Sequence, residues 1–383
     1  MIYTIPYILL VCFYGALALW YHSIENEYTR KRIVIVCVGV WILFFGFRGF
    51  CFYDWRSYYP TFMKYNLKDV FTLGFSSFPF ERGFMLLMLG CKSVVNNYEF
   101  FVLVCTLIDT TLLMMFLKRY VKNIPLTLMI CLCMNGLGLF TDLMRNSISI
   151  LIFVNSLQYI RKRKPVPYFS LCLVGVLFHA SAVLYIPLYF FLHRKINKWV
   201  FLGLFIVGNL VYLLQLHVFI NLVELIAGFI DRSMKVKIDE YMSFMPGIGF
   251  KISIGYLERL FTGILVFCYI NKLREIRKDN DLFINSMLLY FMFFFFFSEF
   301  RTISMRFSYL FCFGYWILWV DLIKCFSINN NRRLFIVFLA IYCVFKMYGL
   351  TNNVICRYDN VLTGAQPYQA RECIFRANAG EVK

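Results

Sequence analysis

Charge is scarce in this chain. Asp, Glu, Lys and Arg make up 16% of its 383 residues, while 61% are hydrophobic and 20% aromatic. A water-soluble globule cannot cover a core with so little polar surface, so a soluble fold is excluded and a bilayer is the natural solvent. Acidic residues are the scarcer sign, 21 against 39 basic, which leaves a formal net charge of +18. That excess does not point to nucleic acid, because the basic residues punctuate apolar spans instead of gathering in one polar domain. Histidine is rare, with four residues, and His179, the one flanked by small apolar residues, has no second His or Cys at metal-ligand spacing. None of the 14 cysteines forms a CxxC pair, so zinc and redox motifs are excluded and most thiols are expected to be buried in apolar segments. Cys356 and Cys373 differ: they lie in a polar C-terminal tail, where an oxidising compartment could join them. No GxSxG-type elbow accompanies Ser181, which argues against a Ser-His-Asp hydrolase. Met1 to Trp20 lacks a basic n-region and a small-residue cleavage site, and is expected to be a retained first helix.

What the chain does have is a succession of apolar runs. A helix needs about twenty apolar residues to cross the hydrocarbon core, and runs near 2–21, 33–47, 100–117, 125–140, 200–220, 282–298, 304–323 and 334–349 meet that measure. Shorter runs near 147–160, 167–178, 181–192 and 255–270 would cross a thin bilayer or form half-helices. The expectation is an all-α polytopic membrane bundle of about ten to twelve transmembrane helices with re-entrant or half-helix segments. Its membrane domain is expected over 1–350, followed by a polar, external tail over 351–383. Six basic clusters separate the runs: Arg30 to Arg32, Lys118-Arg119 with Lys122, Arg161 to Lys164, Arg194-Lys195 with Lys198, Lys272 to Lys278, and Arg332-Arg333. All six can be cytoplasmic at once if 83–95 is re-entrant or interfacial and 167–192 turns back near His179. External loops are then expected near 48–82 and 221–254, with both termini outside.

Every conspicuous polar residue falls on that external side. In GFRGFCFYDWRSYY, Arg48, Asp54, Trp55, Tyr58 and Tyr59 place a fixed cation, a carboxylate and rings suited to sugar stacking at the mouth of a span. The same residues also suit an interfacial aromatic belt with a surface ion pair. Glu81 opens FERGFMLLML and suits either a catalytic carboxylate or a helix cap. In FTDLMRNSISI, Asp142 and Arg145 stand three residues apart. The Arg145 guanidinium can hold a diphosphate with a bidentate fork, or pair with Asp142 and shield both charges. His179 and Ser181 sit in LFHASAVLYIPLYF between two short apolar halves. SEFRTISMRFSYLF adds Glu299, Arg301 and Arg306 at another external helix start, again suited to an anionic ligand.

The order FRGFCFYDWRSYY, FPFERGFMLL, LMRNSISILIF with the basic turn RKRK, LFHASAVLYIPLYF and finally MRFSYLF resembles the EpsG family of bacterial exopolysaccharide polymerases, related to Wzy-type polymerases. The resemblance covers roughly residues 35 to 315, with Pro367-Tyr368 as a weaker echo. The family pattern commonly follows the arginine with glutamine, whereas Asn146 follows Arg145 here, so no role is carried onto Asn146. The resemblance implies enzymes that join lipid-linked oligosaccharide repeats outside the inner membrane. It implies a polyprenyl-diphosphate donor, a second lipid-linked repeat as acceptor, no nucleotide sugar, and other polysaccharide export components as partners.

Residues and resemblance together lead to a metal-independent membrane glycosyltransferase without a cofactor, acting on polyprenyl-diphosphate-linked oligosaccharide in the bilayer. Asp54, Glu81 and His179 are the candidate bases. Arg48, Arg145, Arg301 and Arg306 are the expected diphosphate clamp, with Trp55, Tyr58 and Tyr59 stacking on sugars. A flippase of the same lipid-linked sugar is the rival reading, disfavoured because no charged residue is expected mid-span in both halves of the chain. A glycan ligase would use the same donor chemistry.

Overall fold

Inside a bilayer, helices satisfy every backbone N–H and C=O within one segment. The computed structural model, which describes residues 2–216 and 252–378, has no strand among them and only one isolated bridge, Arg48 to Asn360. The helices are α1 (Ile5–Ser23), α2 (Glu27–Gly46), α3 (Trp55–Lys64), α4 (Asp69–Leu73), α5 (Arg82–Val94), α6 (Tyr98–Tyr120), α7 (Ile124–Cys131) and α8 (Leu137–Thr141). They continue as α9 (Met144–Arg161), α10 (Pro165–Phe178), α11 (Lys198–Leu213), α12 (Ile254–Ile276) and α13 (Asn280–Phe296). The last four are α14 (Arg301–Tyr309), α15 (Phe313–Cys325), α16 (Asn329–Thr351) and α17 (Tyr368–Asn378). Local chemistry starts many of them. Asn26, Asn97, Asn123 and Asn197 each accept a backbone N–H in the first turn of α2, α6, α7 and α11, and Ser253 does so for α12.

The protein is a multi-pass membrane protein. Five helical segments are long and apolar enough to cross a membrane: Ile2–Ser23, Tyr98–Tyr120, Ile124–Thr141, Ile254–Ile276 and Asn329–Thr351. A sixth arises if Ile303–Tyr309 and Phe313–Cys325, bent by 60°, make one span. Three expected runs differ in detail. The run near 33–47 begins at Glu27, because the Asn26 cap draws the basic residues into the first turns. The run near 125–140 breaks where Asn135 adopts a positive φ of 69°, and Gly136 lies so close to the Cys131 carbonyl that a side chain would collide. The segment after His179 is a tight 3-10 helix, Ala180–Phe190, lying along α10, with Tyr185 stacked 3.7 Å from Phe153.

The chain divides into two compact units, Met1–Phe190 with Ser327–Lys383, and Phe191–Phe326. Residues 351–378, expected as a tail, pack with the first unit. Within that unit α9 lies between α6 and α10, α2 against α6, and α1 against α7 and α16. Trp41 fills the space between Tyr14, Phe45 and Phe140. Van der Waals fit drives such packing in lipid, and Gly83 shows it: a Cβ there would come within 2.8 Å of the Leu177 carbonyl oxygen, so glycine lets α5 close on α10.

In the second unit α13 packs against α11, α14 and α15. Glu258 and Arg259 are buried in α12: Thr262 donates to Glu258 at 2.9 Å, and Arg259 donates to the Tyr290 hydroxyl at 2.9 Å. Halfway along α6 in the first unit, Asp109 is buried and accepts the Ser147 hydroxyl at 2.7 Å. Asp109 thus lies mid-span in the first unit, whereas Glu258 and Arg259 lie in the second turn of α12. The expected loop 221–254 lies outside the described residues except for its last three.

Candidate functional site

Helix ends of the first unit build the site. After α2 the chain leaves helical geometry, and Arg48 turns inward until it is buried. Its guanidinium donates to the Phe45 carbonyl and, at 3.1 Å, to that of Thr141, which ties the end of α2 to the end of α8. Arg48 forms no ion pair among the described residues. Its charge is met by carbonyl dipoles and lines a cavity of about 490 Å³.

Asp142 follows α8, and one of its oxygens accepts the N–H groups of Tyr53 at 2.9 Å and Asp54 at 2.6 Å. It therefore caps the start of α3 from a distant part of the chain. Burial raises the Asp142 carboxyl to about 7, with the negative charge of Asp54 adding and the two N–H bonds opposing. The expected Asp142–Arg145 ion pair does not form. α9 begins at Met144, after Leu143 has left helical geometry with φ −91° and ψ 50°, so Asp142 and Arg145 do not share a helical face.

Arg145 pairs instead with Glu81. Its Nη1 lies 2.6 Å from Oε2, in a setting where the two side chains are 22% and 21% exposed. The guanidinium also sits 4.6 Å over the Phe80 ring and 5.9 Å over the Tyr58 ring. The Tyr58 hydroxyl in turn donates to Asp54 Oδ2 at 3.3 Å. The second Glu81 oxygen accepts the Ala180 N–H at 3.1 Å. Burial raises the Glu81 carboxyl, but the Arg145 charge and the N–H bonds outweigh it and leave Glu81 below the ordinary carboxylate range. His179 ends α10 beside this contact. Its Nδ1 accepts the Ser181 N–H at 3.2 Å and lies 2.7 Å from the Ser181 hydroxyl, so the neutral ring carries its proton on Nε2.

Asp54, Tyr58, Arg145 and Glu81 thus form one cluster, two hydrogen-bonded pairs joined by the contact of the guanidinium with the Tyr58 ring, and His179 lies at its edge. The other expected residues fall differently. Trp55 is 6% exposed, donates to the Phe52 carbonyl and is wedged among Phe50, Tyr368 and Phe375. Tyr58 is 2% exposed. Neither offers an open ring face to a sugar. Of the three rings expected to stack on sugar, Tyr59 alone lines the 490 Å³ cavity, and it stacks on Tyr368 at 4.5 Å. Arg301 and Arg306 belong to α14 in the second unit, Arg306 being exposed, and the network is complete without them. Among the described residues no three His, Cys, Asp or Glu side chains gather as metal ligands. Cys356 and Cys373 are free thiols, the first buried and the second exposed.

Reading the sequence alone misses the capping role of Asp142 and the cavity wall formed by Tyr98, Glu99, Gln366 and Tyr368. The Pro367-Tyr368 pair was the one available signal for the tail. Among known proteins, the model of the EpsG family matches residues 31–369, which include every residue of the network and the cavity. No curated protein and no solved structure matches the chain.

Proposed function

Because this chain belongs to the EpsG family, we propose that it is a membrane glycosyltransferase that polymerises polyprenyl-diphosphate-linked oligosaccharide repeats into exopolysaccharide or capsule. The reaction is placed at the outer face of a bacterial inner membrane, with the basic helix ends in the cytoplasm. The observation that carries the reading is the cluster of Asp54, Tyr58, Arg145 and Glu81, in which Arg145 pairs with Glu81 and packs over Tyr58, whose hydroxyl donates to Asp54. An acceptor hydroxyl attacks the anomeric carbon of the donor and gives its proton to Asp54. The bond from that carbon to the diphosphate breaks, and its electron pair leaves on a phosphate oxygen that Arg145 stabilises. Glu81 holds Arg145 in place before the donor arrives. When diphosphate oxygens take over the guanidinium, Glu81 loses the charge that depresses it and becomes a second proton acceptor. Arg48, which has no ion-pair partner among the described residues, is the second diphosphate or anion contact.

The experiment is the lipid-linked glycan profile of cells lacking the protein. Single repeat units accumulating on lipid at the external face support a polymerase. Repeats retained on the cytoplasmic face contradict it and indicate a flippase.

A further inference from the structure

The segment after α16 folds back over the loop that carries Arg48. The Gly49 N–H donates to the Asp359 carbonyl at 2.8 Å, and the Val361 N–H to that of Phe47 at 2.8 Å. Arg371, 2% exposed, donates to the Phe50 carbonyl at 2.8 Å, and Glu372 takes two hydrogen bonds from Arg56 at 2.8 and 3.0 Å. The approach is close enough that a Cβ on Gly49 would lie 3.1 Å from the Ala365 Cβ, and Gly364 turns the segment with a φ of +100°. Where the segment crosses Tyr59 and Tyr98 it does not fill the space beneath it. It leaves the 490 Å³ cavity, a volume suited to a small ligand.

We infer that the C-terminal segment and Arg48 together build a subsite for a sugar ring that carries or adjoins an anion. The inference rests on the polymerase reading for the identity of the glycan, and on the cavity for its chemistry. Tyr59, Tyr98 and Tyr368 supply the ring surfaces that sugars stack on. Glu99 accepts from sugar hydroxyls. Gln366 offers a buried Oε1 that has no hydrogen-bond partner, and such an atom is costly to leave unmet. Among the described residues Arg48 is the only cation on the cavity wall, and no carboxylate lies at ion-pair distance from it, although its charge reaches Asp142 and Asp109. Ring surfaces, a carboxylate for hydroxyl groups and a cation with no carboxylate at ion-pair distance, in one cavity, suit a saccharide that meets Glu99 with its hydroxyls and Arg48 with an anion. The anion is either an acidic sugar of the repeat or the diphosphate beside the first sugar of the lipid-linked form.

The test is a calorimetric titration of the full-length protein in nanodiscs. The probes are oligosaccharide repeats cleaved from the polymer made by cells carrying this protein, the same repeats with carboxyl groups reduced to alcohols, and inorganic diphosphate. The intact repeat should bind, and Gln366→Ala and Tyr368→Ala should each weaken it about tenfold without changing the melting temperature. Weaker binding of the reduced repeat assigns the anion to the sugar; competition by diphosphate assigns it to the lipid-linked end. Equal binding of both repeats with no competition by diphosphate overturns the role of Arg48. For a polymer without acidic sugars the diphosphate arm decides alone. Should Tyr368→Ala fail to fold, Gln366→Ala decides. No binding of any probe, or unchanged binding in the variants, overturns the subsite. The two readings fail separately. Binding that depends on Gln366 in a protein that does not elongate lipid-linked repeats sinks the polymerase and keeps the subsite. Elongation with an unchanged KM for the repeat in the variants does the reverse.

Discussion

At the scale of single residues, the site turns on the Arg145–Glu81 pair, which joins two helix starts. Asp54, Glu81, His179 and Arg145 stood out because charged groups at span boundaries are costly without a purpose. Their pairing depended on where α9 starts, which neighbouring residues do not dictate, so Arg145 reaches across 64 positions to Glu81 instead of three to Asp142. The Glu81 contact changes what substitution should do. Loss of a contact to a developing diphosphate charge typically costs about 3 kcal/mol, or roughly a hundredfold in rate, whereas an exposed ion pair contributes under about 1 kcal/mol. Arg145→Lys should therefore elongate repeats almost as poorly as Arg145→Ala, because ammonium cannot span both phosphate oxygens and Tyr58. If Arg145 serves only to shield Glu81, the Arg145→Lys variant and the Glu81→Gln/Arg145→Gln double variant should make glycan of normal length at normal membrane abundance. Asp142 gives a second prediction at this scale. Its carboxyl is raised from the ordinary 3.8 to about 7 by burial, so the protonated form favours the folded state. That stability is fully present below about pH 4 and is lost as pH rises through about 7. Melting temperatures of the purified protein should fall across that window in the wild type. Asp142→Asn, which keeps the oxygen that accepts from Tyr53 and Asp54, should flatten the fall. A parallel curve for the variant would contradict this origin.

At the scale of elements, apolar runs located the helices because a bilayer requires both their length and their composition. Boundaries and breaks were less visible. The bend at Asn135 and Gly136 falls on an Asn-Gly pair, a turn signal that the surrounding apolar run outweighs, and the interruption between α14 and α15 falls in YLFCF, where hydropathy carries no trace of backbone geometry. The packing of the tail is hidden for the opposite reason: its polarity gives no sign that its polar groups meet the carbonyls of the Arg48 loop. Arg371 anchors it, and Arg371→Ala should leave the Phe50 and Arg357 carbonyls without a donor, while that of Ile355 keeps the Phe52 N–H. Unsatisfied buried acceptors cost about 1–3 kcal/mol each. Limited proteolysis should then cut within 352–378 in the variant and spare the wild type; equal resistance would show that the tail is held by other contacts. Gly83→Ala tests the α5–α10 contact in the same way. A Cβ 2.8 Å from the Leu177 carbonyl oxygen forces the helices apart, and the melting temperature should drop.

At the scale of the whole molecule, the positive-inside rule orients the chain with its polar network outside. Tyr53, which is exposed, and the native thiol Cys373 report on that side. Cys373, and a cysteine placed at Tyr53, should react with an impermeant thiol reagent applied to intact cells, while a cysteine at Lys162 should not. External labelling at Lys162 would reverse the orientation. Buried Asp109, Glu258 and Arg259 were hard to read from sequence because each sits inside a run that is otherwise apolar. Their presence makes the distinction between moving and joining the lipid-linked sugar one for direct assay. The decisive measurement is elongation of a labelled lipid-linked repeat by the purified protein in proteoliposomes, with wild type, Arg145→Lys and Arg145→Ala compared at matched reconstitution. The account predicts a ladder of lipid-linked chains from the wild type and a rate about a hundredfold lower from both variants. A wild-type protein that carries the repeat across the bilayer without lengthening it, or a lysine variant that builds the ladder at the normal rate, would contradict it.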